Sequence, residues 1–191
     1  MHFKMRITLL IILFTQTVWG QTYSDYLTDK EVEDFLTWEM KDPSNNQSEY
    51  FSVTNRRLKT LRKANDWSVK YIVFHKDSLD YVDFFNETFR EVGLKDFLSD
   101  TEIAFLKNQF GERKKNIEFS KRINADNFVS RVKNNELTVS YSIPLSLSDK
   151  SIYFLLKDYT WDNRGECVIN IYKKLENGQW IMSKTQQVSV Y

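Results

Sequence analysis

Cys167 and His75 are the two side chains that could form a nucleophile and its base. The 191-residue chain contains one cysteine, and His75 is the only histidine beyond the N-terminal segment. A thiol activated by an imidazole is a common arrangement for nucleophilic catalysis. Nothing in the sequence brings the two residues together, however, and Cys167 belongs to an apolar alternation described below. We therefore interpret Cys167 as a core residue, with an intermolecular disulfide as the alternative.

The densest group of carboxylates comprises Asp77, Asp80, Asp83 and Glu87. At helical spacing the last three fall on one face, opposite apolar residues. Such a group could bind calcium or supply an acid–base pair for hydrolysis, but the glycine and closing glutamate of an EF-hand are missing at the required offsets. We interpret these residues as a solvated surface and keep carboxylate-based hydrolysis as an alternative.

Five of the eight residues at positions 56–63, RRLKTLRK, are basic. On a helix they would flank Leu58 and Leu61, which predicts an amphipathic element with a charged outer face; contact with phosphates or acidic glycans is the alternative. The chain lacks the H-E-x-x-H, G-x-S-x-G and P-loop motifs and any Cys/His ligand spacing. We therefore predict no catalytic residue, no cofactor-binding residue and no metal ligand. Glycosylation sequons begin at Asn46 and Asn86.

The N-terminal residues 1–20 have the three parts of a cleavable secretory signal. Lys4 and Arg6 precede the apolar run ITLLIILF, and Val18 and Gly20 are small residues near the expected cleavage site. Cleavage after Gly20 would leave 171 residues without a transmembrane segment, in the secreted or periplasmic space. A chain of this length suits one domain, at residues 21–191. Its 25 basic and 26 acidic residues give no general attraction to nucleic acid.

The first half of the mature chain predicts helices. Thr28 and Ser99 each begin a capping box that is followed by apolar residues at helical spacing. The first helix should end before Pro43, and the second should end at Gly111. Further helices are predicted at residues 54–64 and 78–93. Residues 69–74 are ambiguous between strand and helix, and residues 112–135 carry no clear pattern.

The second half has the two-residue periodicity of strands. Residues 137–143 alternate between apolar and polar side chains, and residues 152–159 are apolar on both faces apart from Lys157 and Asp158. Asn177-Gly178 predicts a two-residue hairpin turn between two further strands. Together these patterns predict an α+β domain in which N-terminal helices pack on a C-terminal antiparallel four-stranded meander. A cone-shaped, NTF2-like arrangement of helices and sheet is the alternative.

A two-residue turn at Asn177-Gly178 would place Glu176 opposite Gln179. It would then place Cys167 on an apolar face, where burial raises the pKa of a thiol and makes it inert. The expected face-sharing residues are Cys167, Ile169, Ile171, Leu175, Trp180 and Met182, and the expected cross-strand pairs are Leu175–Trp180, Lys173–Met182, Ile171–Lys184, Ile169–Gln186 and Cys167–Val188.

The C-terminal stretches SLSDKSIYFLLKDY (146–159) and GECVINIYKKLENGQWIMS (165–183), with LSDTEIAFLKNQF (98–110), resemble a group of small exported proteins of Bacteroidota without assigned activity. The resemblance implies a helical N-terminal half, a closing run of strands and an exported location, but no chemistry. Members often carry two Gly-flanked cysteines before the hairpin, whereas this chain has only Gly165 and Cys167 there.

Taken together, the sequence predicts a small exported globular protein that binds an unidentified protein or small ligand without catalysis. This prediction rests on the missing nucleophile–base set and on an aromatic content of 15%, which could serve a recognition surface. The alternative is a carboxylate-based hydrolase that acts on envelope or extracellular polymers, because an acidic catalytic pair has no local sequence motif.

Overall fold

The computed structural model describes residues 23–41, 58–67, 99–123, 128–133 and 136–190, except positions 66, 113, 115, 132 and 163. The described helices are α1 (Asp29–Lys41) and α2 (Asp100–Gly111). The described strands are β1 (Lys59–Leu61), β2 (Phe128–Val129), β3 (Thr138–Tyr141), β4 (Leu145–Ser146), β5 (Ile152–Trp161), β6 (Arg164–Lys174) and β7 (Trp180–Val190).

Helix α1 begins with the capping box that the sequence predicts. The Thr28 backbone N–H donates to Glu31 Oε2 at 2.8 Å, and the Glu31 N–H donates back to Thr28 Oγ1 at 3.2 Å. These two bonds satisfy N–H groups that have no partner within the helix. The buried side of α1 is formed by Val32, Phe35, Leu36 and, unexpectedly, the carboxylate of Glu39.

Helix α2 confirms the second predicted helix, but only the serine half of its predicted capping box is formed. Ser99 Oγ accepts a hydrogen bond from the Glu102 N–H at 3.2 Å, as an N-cap serine does. The Glu102 carboxylate turns away from the cap and accepts bonds from Ser148, whose N–H lies 2.9 Å from Oε2. Glu102 therefore ties the start of α2 to the turn that follows β4.

The sheet is larger and more varied than the predicted four-stranded antiparallel meander. In the described part of the chain it has seven strands, in the order β2-β1-β3-β5-β6-β7, with β4 paired to β5. Strand β1 runs parallel to both β2 and β3, whereas the pairs from β3 to β7 are antiparallel. The α+β class is thus observed, but the sheet is mixed.

Strand β1 replaces part of the helix predicted at residues 54–64, and the helix prediction is wrong over the described positions. Thr60 pairs with Phe128 on one side and with Val139 on the other. The local pattern of Leu58 and Leu61 fits a helix, but pairing with two distant strands provides more hydrogen bonds and burial than a short isolated helix would.

Both faces of the sheet are covered, because side chains alternate between two apolar clusters. The α1 cluster contains Phe35 and Leu36 together with Tyr153 and Tyr172, and the partly buried Trp180 packs against it. The α2 cluster lies on the opposite face and contains the following residues: Trp67, Leu106, Phe110, Leu145, Leu147, Ile152, Phe154, Leu156, Cys167, Ile169 and Ile171. Many of the aromatic residues in the described part of the chain therefore pack in the core.

The hairpin between β6 and β7 has a three-residue loop where a two-residue turn was predicted. Gly178 alone takes positive φ, at 82°, and the Leu175 N–H donates to the Gln179 carbonyl at 2.7 Å. This geometry is a turn followed by a glycine bulge. It shifts the pairing by one residue, so that Lys174 faces Trp180 and Trp180 turns to the α1 cluster.

A second bulge, between Ile171 and Tyr172, restores the predicted register further from the turn. The predicted pairs Ile171–Lys184 and Ile169–Gln186 are confirmed. A third irregularity, beside Cys167, places that residue opposite Ser189. The predicted pairs Leu175–Trp180, Lys173–Met182 and Cys167–Val188 are therefore wrong.

Cys167 is fully buried and unpaired, as predicted, and shares its face with Ile169 and Ile171. The rest of the predicted face is wrong, because Trp180 packs on the other side and Met182 is 42% exposed. The opposite face of β6 is also covered, so that Glu166 and Asn170 are both buried.

Several predictions fall outside the described residues. They concern the signal sequence at residues 1–20, the Asn46 and Asn86 sequons, the ambiguous segment 69–74, His75, and the helix at residues 78–93 with its acidic set.

The buried position of Cys167 makes its reactivity testable. Burial raises the pKa of this thiol, and the nearby Asp158 and Glu166 charges raise it further, so that little thiolate forms at neutral pH. We expect labelling of the native protein by a disulfide-exchange reagent to be slower than labelling in denaturant by a factor of about a hundred or more. Equal rates in the two states, or a covalent dimer on a non-reducing gel, would contradict this assignment.

Candidate functional site

One concave feature of the described part of the chain is a cleft between the turn that precedes α1 and the C-terminal end of α2. The empty space in and above it is about 410 Å³, a figure that includes open solvent. Its residues come from four parts of the chain and are Tyr23, Ser24, Asp25, Tyr26, Asn65, Trp67, Gln109, Glu112, Lys114, Ile143, Pro144 and Leu145. We call this feature the Asn65 cleft.

The wall supplied by the turn before α1 is held in place by short-range hydrogen bonds. Ser24 Oγ accepts from the N–H of Tyr26 at 3.1 Å, and Asp29 Oδ1 accepts from the N–H of Tyr23 at 2.8 Å. The Tyr23 hydroxyl in turn accepts from the Ser120 N–H at 2.8 Å. The wall is therefore anchored both to α1 and to a distant segment.

The rim of the Asn65 cleft carries charged groups that are joined in pairs. Lys114 Nζ lies 3.0 Å from Asp25 Oδ1, and the Tyr26 hydroxyl donates to Glu112 Oε2 at 2.6 Å. The Tyr26 ring also packs edge-on against Phe105, with 5.3 Å between ring centroids. The hydrogen bond to Glu112 raises the pKa of Tyr26, because ionisation would place two negative charges side by side.

The floor of the cleft is built from groups that are mostly satisfied by the backbone. Trp67 Nε1 donates to the Ile143 carbonyl at 2.7 Å. Gln109 uses both ends of its amide on Ser146, with Nε2 donating to the carbonyl at 2.6 Å and Oε1 accepting from the N–H at 3.1 Å. Asn65 differs, since its buried Nδ2 has no hydrogen-bond partner among the described residues.

A second polar group lies between α1 and the sheet and is closed to solvent. Glu39 from α1 and Lys157 from β5 form an ion pair in which both side chains are 0% exposed. The ring of Tyr141 lies 5.7 Å from Lys157 Nζ, and Asn170 Nδ2 donates to the Tyr172 hydroxyl at 3.0 Å. This ion pair joins α1 to β5 in the core, and neither of its side chains is exposed.

Burial changes the acid–base properties of the groups around this pair. Desolvation lowers the pKa of Lys157, although the Glu39 charge opposes the change. Burial raises the pKa of Tyr141, Tyr159 and Tyr172, and the Glu39 charge raises each of them further. Burial likewise raises the pKa of Tyr153 to about 12. The phenols on this face therefore remain protonated at neutral pH.

In the described part of the chain, the candidate residues from the sequence analysis do not come together in one site. Cys167 lies in the α2 cluster on the sheet face opposite Glu39 and Lys157, while His75 and the acidic set fall outside the described residues. Part of the basic stretch is used internally. Arg62 donates to the Phe119 carbonyl at 3.2 Å and stacks over Phe128, and Lys59 lies 3.8 Å from Glu136.

The sequence analysis predicted neither the polar residues of the Asn65 cleft nor the buried ion pair of Glu39 and Lys157. The only signal for the buried pair was the interruption of an apolar run by Lys157, together with a glutamate at the apolar spacing of α1. No such signal marks the cleft, because Asp25, Asn65, Glu112 and Lys114 stand in separate segments that only the tertiary fold brings together.

Comparisons with known proteins give no assignment: no family model, no curated protein and no solved structure matches the chain. Within the described segments, no helix is long and apolar enough to cross a membrane. The same segments contain no cluster of three or more His, Cys, Asp or Glu side chains suited to a metal ion.

The buried tyrosines predict a loss of stability at alkaline pH. Their pKa values are raised above the value of about 10 in the unfolded chain, so the native state retains protons that the unfolded state releases. The associated stability is fully present below pH 10 and is lost as the pH rises towards the value of about 12 for Tyr153. We expect tyrosinate absorbance from these residues to appear together with the loss of far-ultraviolet circular dichroism.

A Tyr153→Phe variant provides the control. The Tyr153 hydroxyl is buried without a hydrogen-bond partner among the described residues, so its removal should leave neutral-pH stability nearly unchanged. This variant should reduce by one the number of tyrosines that ionise together with unfolding. Tyr26→Phe, at the exposed rim, should leave that number unchanged. Ionisation of all tyrosines near pH 10 with the fold intact would contradict the assignment.

Proposed function

We propose that this protein is an exported, non-catalytic binding protein that holds a small ligand or a protein partner at the Asn65 cleft. The observation that carries the proposal is the pairing of the rim charges. Asp25 is joined to Lys114 and Glu112 to Tyr26, so the cleft presents a pre-formed polar rim around an apolar wall. Binding sites commonly combine a mostly apolar wall with a few placed polar groups.

The secreted or periplasmic location is part of the proposal and rests on the signal-like pattern of residues 1–20. The resemblance to exported Bacteroidota proteins agrees with it. The near balance of acidic and basic residues favours a protein or small-molecule partner over nucleic acid. The internal contacts of Arg62 and Lys59 also support this preference, because they occupy part of the basic stretch.

A carboxylate-based hydrolase is the second candidate, because Asp25 and Glu112 line the same cleft. Hydrolysis by two carboxylates needs one that is kept protonated, usually by burial in an apolar pocket. The Asp25 side chain is 56% exposed and paired with a lysine, and the exposed Glu112 carboxylate accepts a hydrogen bond from the Tyr26 hydroxyl. These contacts favour binding over proton transfer.

Charge reversal at the rim tests the proposed function. Lys114→Glu breaks the pair with Asp25 at the cleft, and Lys30→Glu is a matched control that breaks the exposed pair with Asp34 on α1. We expect an identified partner, captured from the native envelope fraction by the wild-type protein, to lose affinity for Lys114→Glu by about fivefold or more. Lys30→Glu should bind that partner as the wild type does.

Cleavage of a polymer by this protein would contradict the proposal. If the protein cleaves an envelope polymer, and if Asp25→Asn or Glu112→Gln abolishes that cleavage while the variants remain folded, the hydrolase is correct. Equal loss of partner binding in Lys114→Glu and Lys30→Glu would instead remove the cleft as the binding site.

A further inference from the structure

We propose that β7 pairs with β7 of a second copy of this protein, so that two sheets join edge to edge across a two-fold axis at Thr185. The inference goes beyond the proposed function, because none of the residues that line the Asn65 cleft lies on β7. It rests on three properties of the strand: an outward-facing backbone, exposed apolar side chains and a sequence that is compatible with itself.

The hydrogen bonds of the neighbouring strands show which backbone groups of β7 face outward. The Leu156 N–H donates to Ser142 Oγ at 3.0 Å, and its carbonyl accepts from the Ser142 N–H at 2.9 Å, so the Leu156 backbone points away from β6. Ile169, opposite Leu156 on β6, therefore directs its N–H and C=O groups towards β7, where it faces Gln186. Because this direction alternates along a strand, the N–H and C=O groups of Thr185 point away from the sheet.

The outer side of β7 is exposed and partly apolar. In the described part of the chain, no strand lies beyond β7, and the side chains of Ser183 and Thr185 are exposed. The large apolar side chains that are exposed in the described segments, Ile181 at 46% and Met182 at 42%, both belong to this strand. An edge with outward N–H and C=O groups and apolar side chains is a template for pairing with another strand.

The sequence of β7 suits a second copy of the same strand. A two-fold axis perpendicular to the strands makes the pairing antiparallel, and the two Thr185 residues on the axis exchange N–H···O=C bonds. Lys184 is the only charged residue of β7 and falls opposite Gln186 of the second copy, so that no like charges meet. The antiparallel direction also brings the end of the second strand beside Ile181 and Met182.

Two bulges restrict the pairing to a short segment. Ser183 and Val188 are the extra residues where β7 shifts its register against β6. They leave a regular segment at 184–187, which includes Thr185, and they disfavour pairing along the rest of the strand. In the described part of the chain, the opposite edge of the sheet is β2, which has two residues. The pairing therefore closes at two copies instead of extending into a fibre.

Sedimentation equilibrium tests the proposal on the purified wild-type protein. We expect a reversible monomer–dimer equilibrium with a dissociation constant of about 1 μM to 1 mM, because the interface is small. Hydrogen exchange below and above that concentration identifies the surface. The Thr185 amide should be protected only in the dimer, whereas the Gln186 amide, which faces β6, should be protected in both states. A monomer at every concentration, or a dimer in which exchange of the Thr185 amide is unchanged, would overturn the proposal.

Charged substitutions on the axis test the register. Thr185→Lys and Thr185→Glu each place like charges opposite one another, so each should raise the dissociation constant by about fivefold or more. An equimolar mixture of the two variants should recover the wild-type affinity, because lysine then faces glutamate. Thr185→Val keeps the backbone N–H and the strand propensity and should dimerise as the wild type does. A mixture that dimerises no better than either variant alone would rule out the axis at Thr185, and the wild-type measurements stand even if a variant fails to fold.

Discussion

The fold depends on a charge that must be paired inside the protein. Glu39 stands on the apolar side of α1, where an isolated carboxylate would lose its hydration without compensation. Lys157 on β5 is equally buried and faces it across the layer between helix and sheet. Because each buried ion is costly without the other, we infer that the pair fixes the rotation of α1 and its position along the sheet.

The position of α1 on the sheet also determines where the turn before the helix lies. Aromatic contacts from Phe35 to Tyr153 and Tyr172 complete the layer that the ion pair orients. At the start of the helix, the bond from Lys150 to Glu31 and the bond from Ser120 to Glu33 join α1 to two further segments. The turn that carries Tyr23 and Tyr26 is thereby placed opposite the end of α2. The cleft is therefore a product of helix placement, and the buried pair contributes to it from a distance.

Local signals predicted the elements that local interactions determine. The cap at Thr28, the N-cap at Ser99 and the burial of β5 on both faces all depend on residues near in sequence, and each prediction is confirmed. Strand β1 was missed because its pattern fits a helix, and only Phe128 and Val139 on distant strands make Thr60 a strand residue. The hairpin register was shifted because Gly178, and not the pair Asn177-Gly178, takes positive φ. The ion pair and the cleft join residues far apart in the chain, which periodicity cannot detect.

A double-mutant cycle on Glu39 and Lys157 is the most direct test of this account. Unfolding free energies from urea titrations would be compared for the wild type, Glu39→Leu, Lys157→Met and the double variant. Each single change should cost about 3–5 kcal/mol because it leaves a buried charge unpaired, whereas the double change should cost much less than the sum. The exposed pair Lys30–Asp34 should show a coupling of only about 0.3–0.5 kcal/mol in a parallel cycle. Additive effects of the Glu39 and Lys157 substitutions would contradict the central claim that this pair fixes α1 on the sheet.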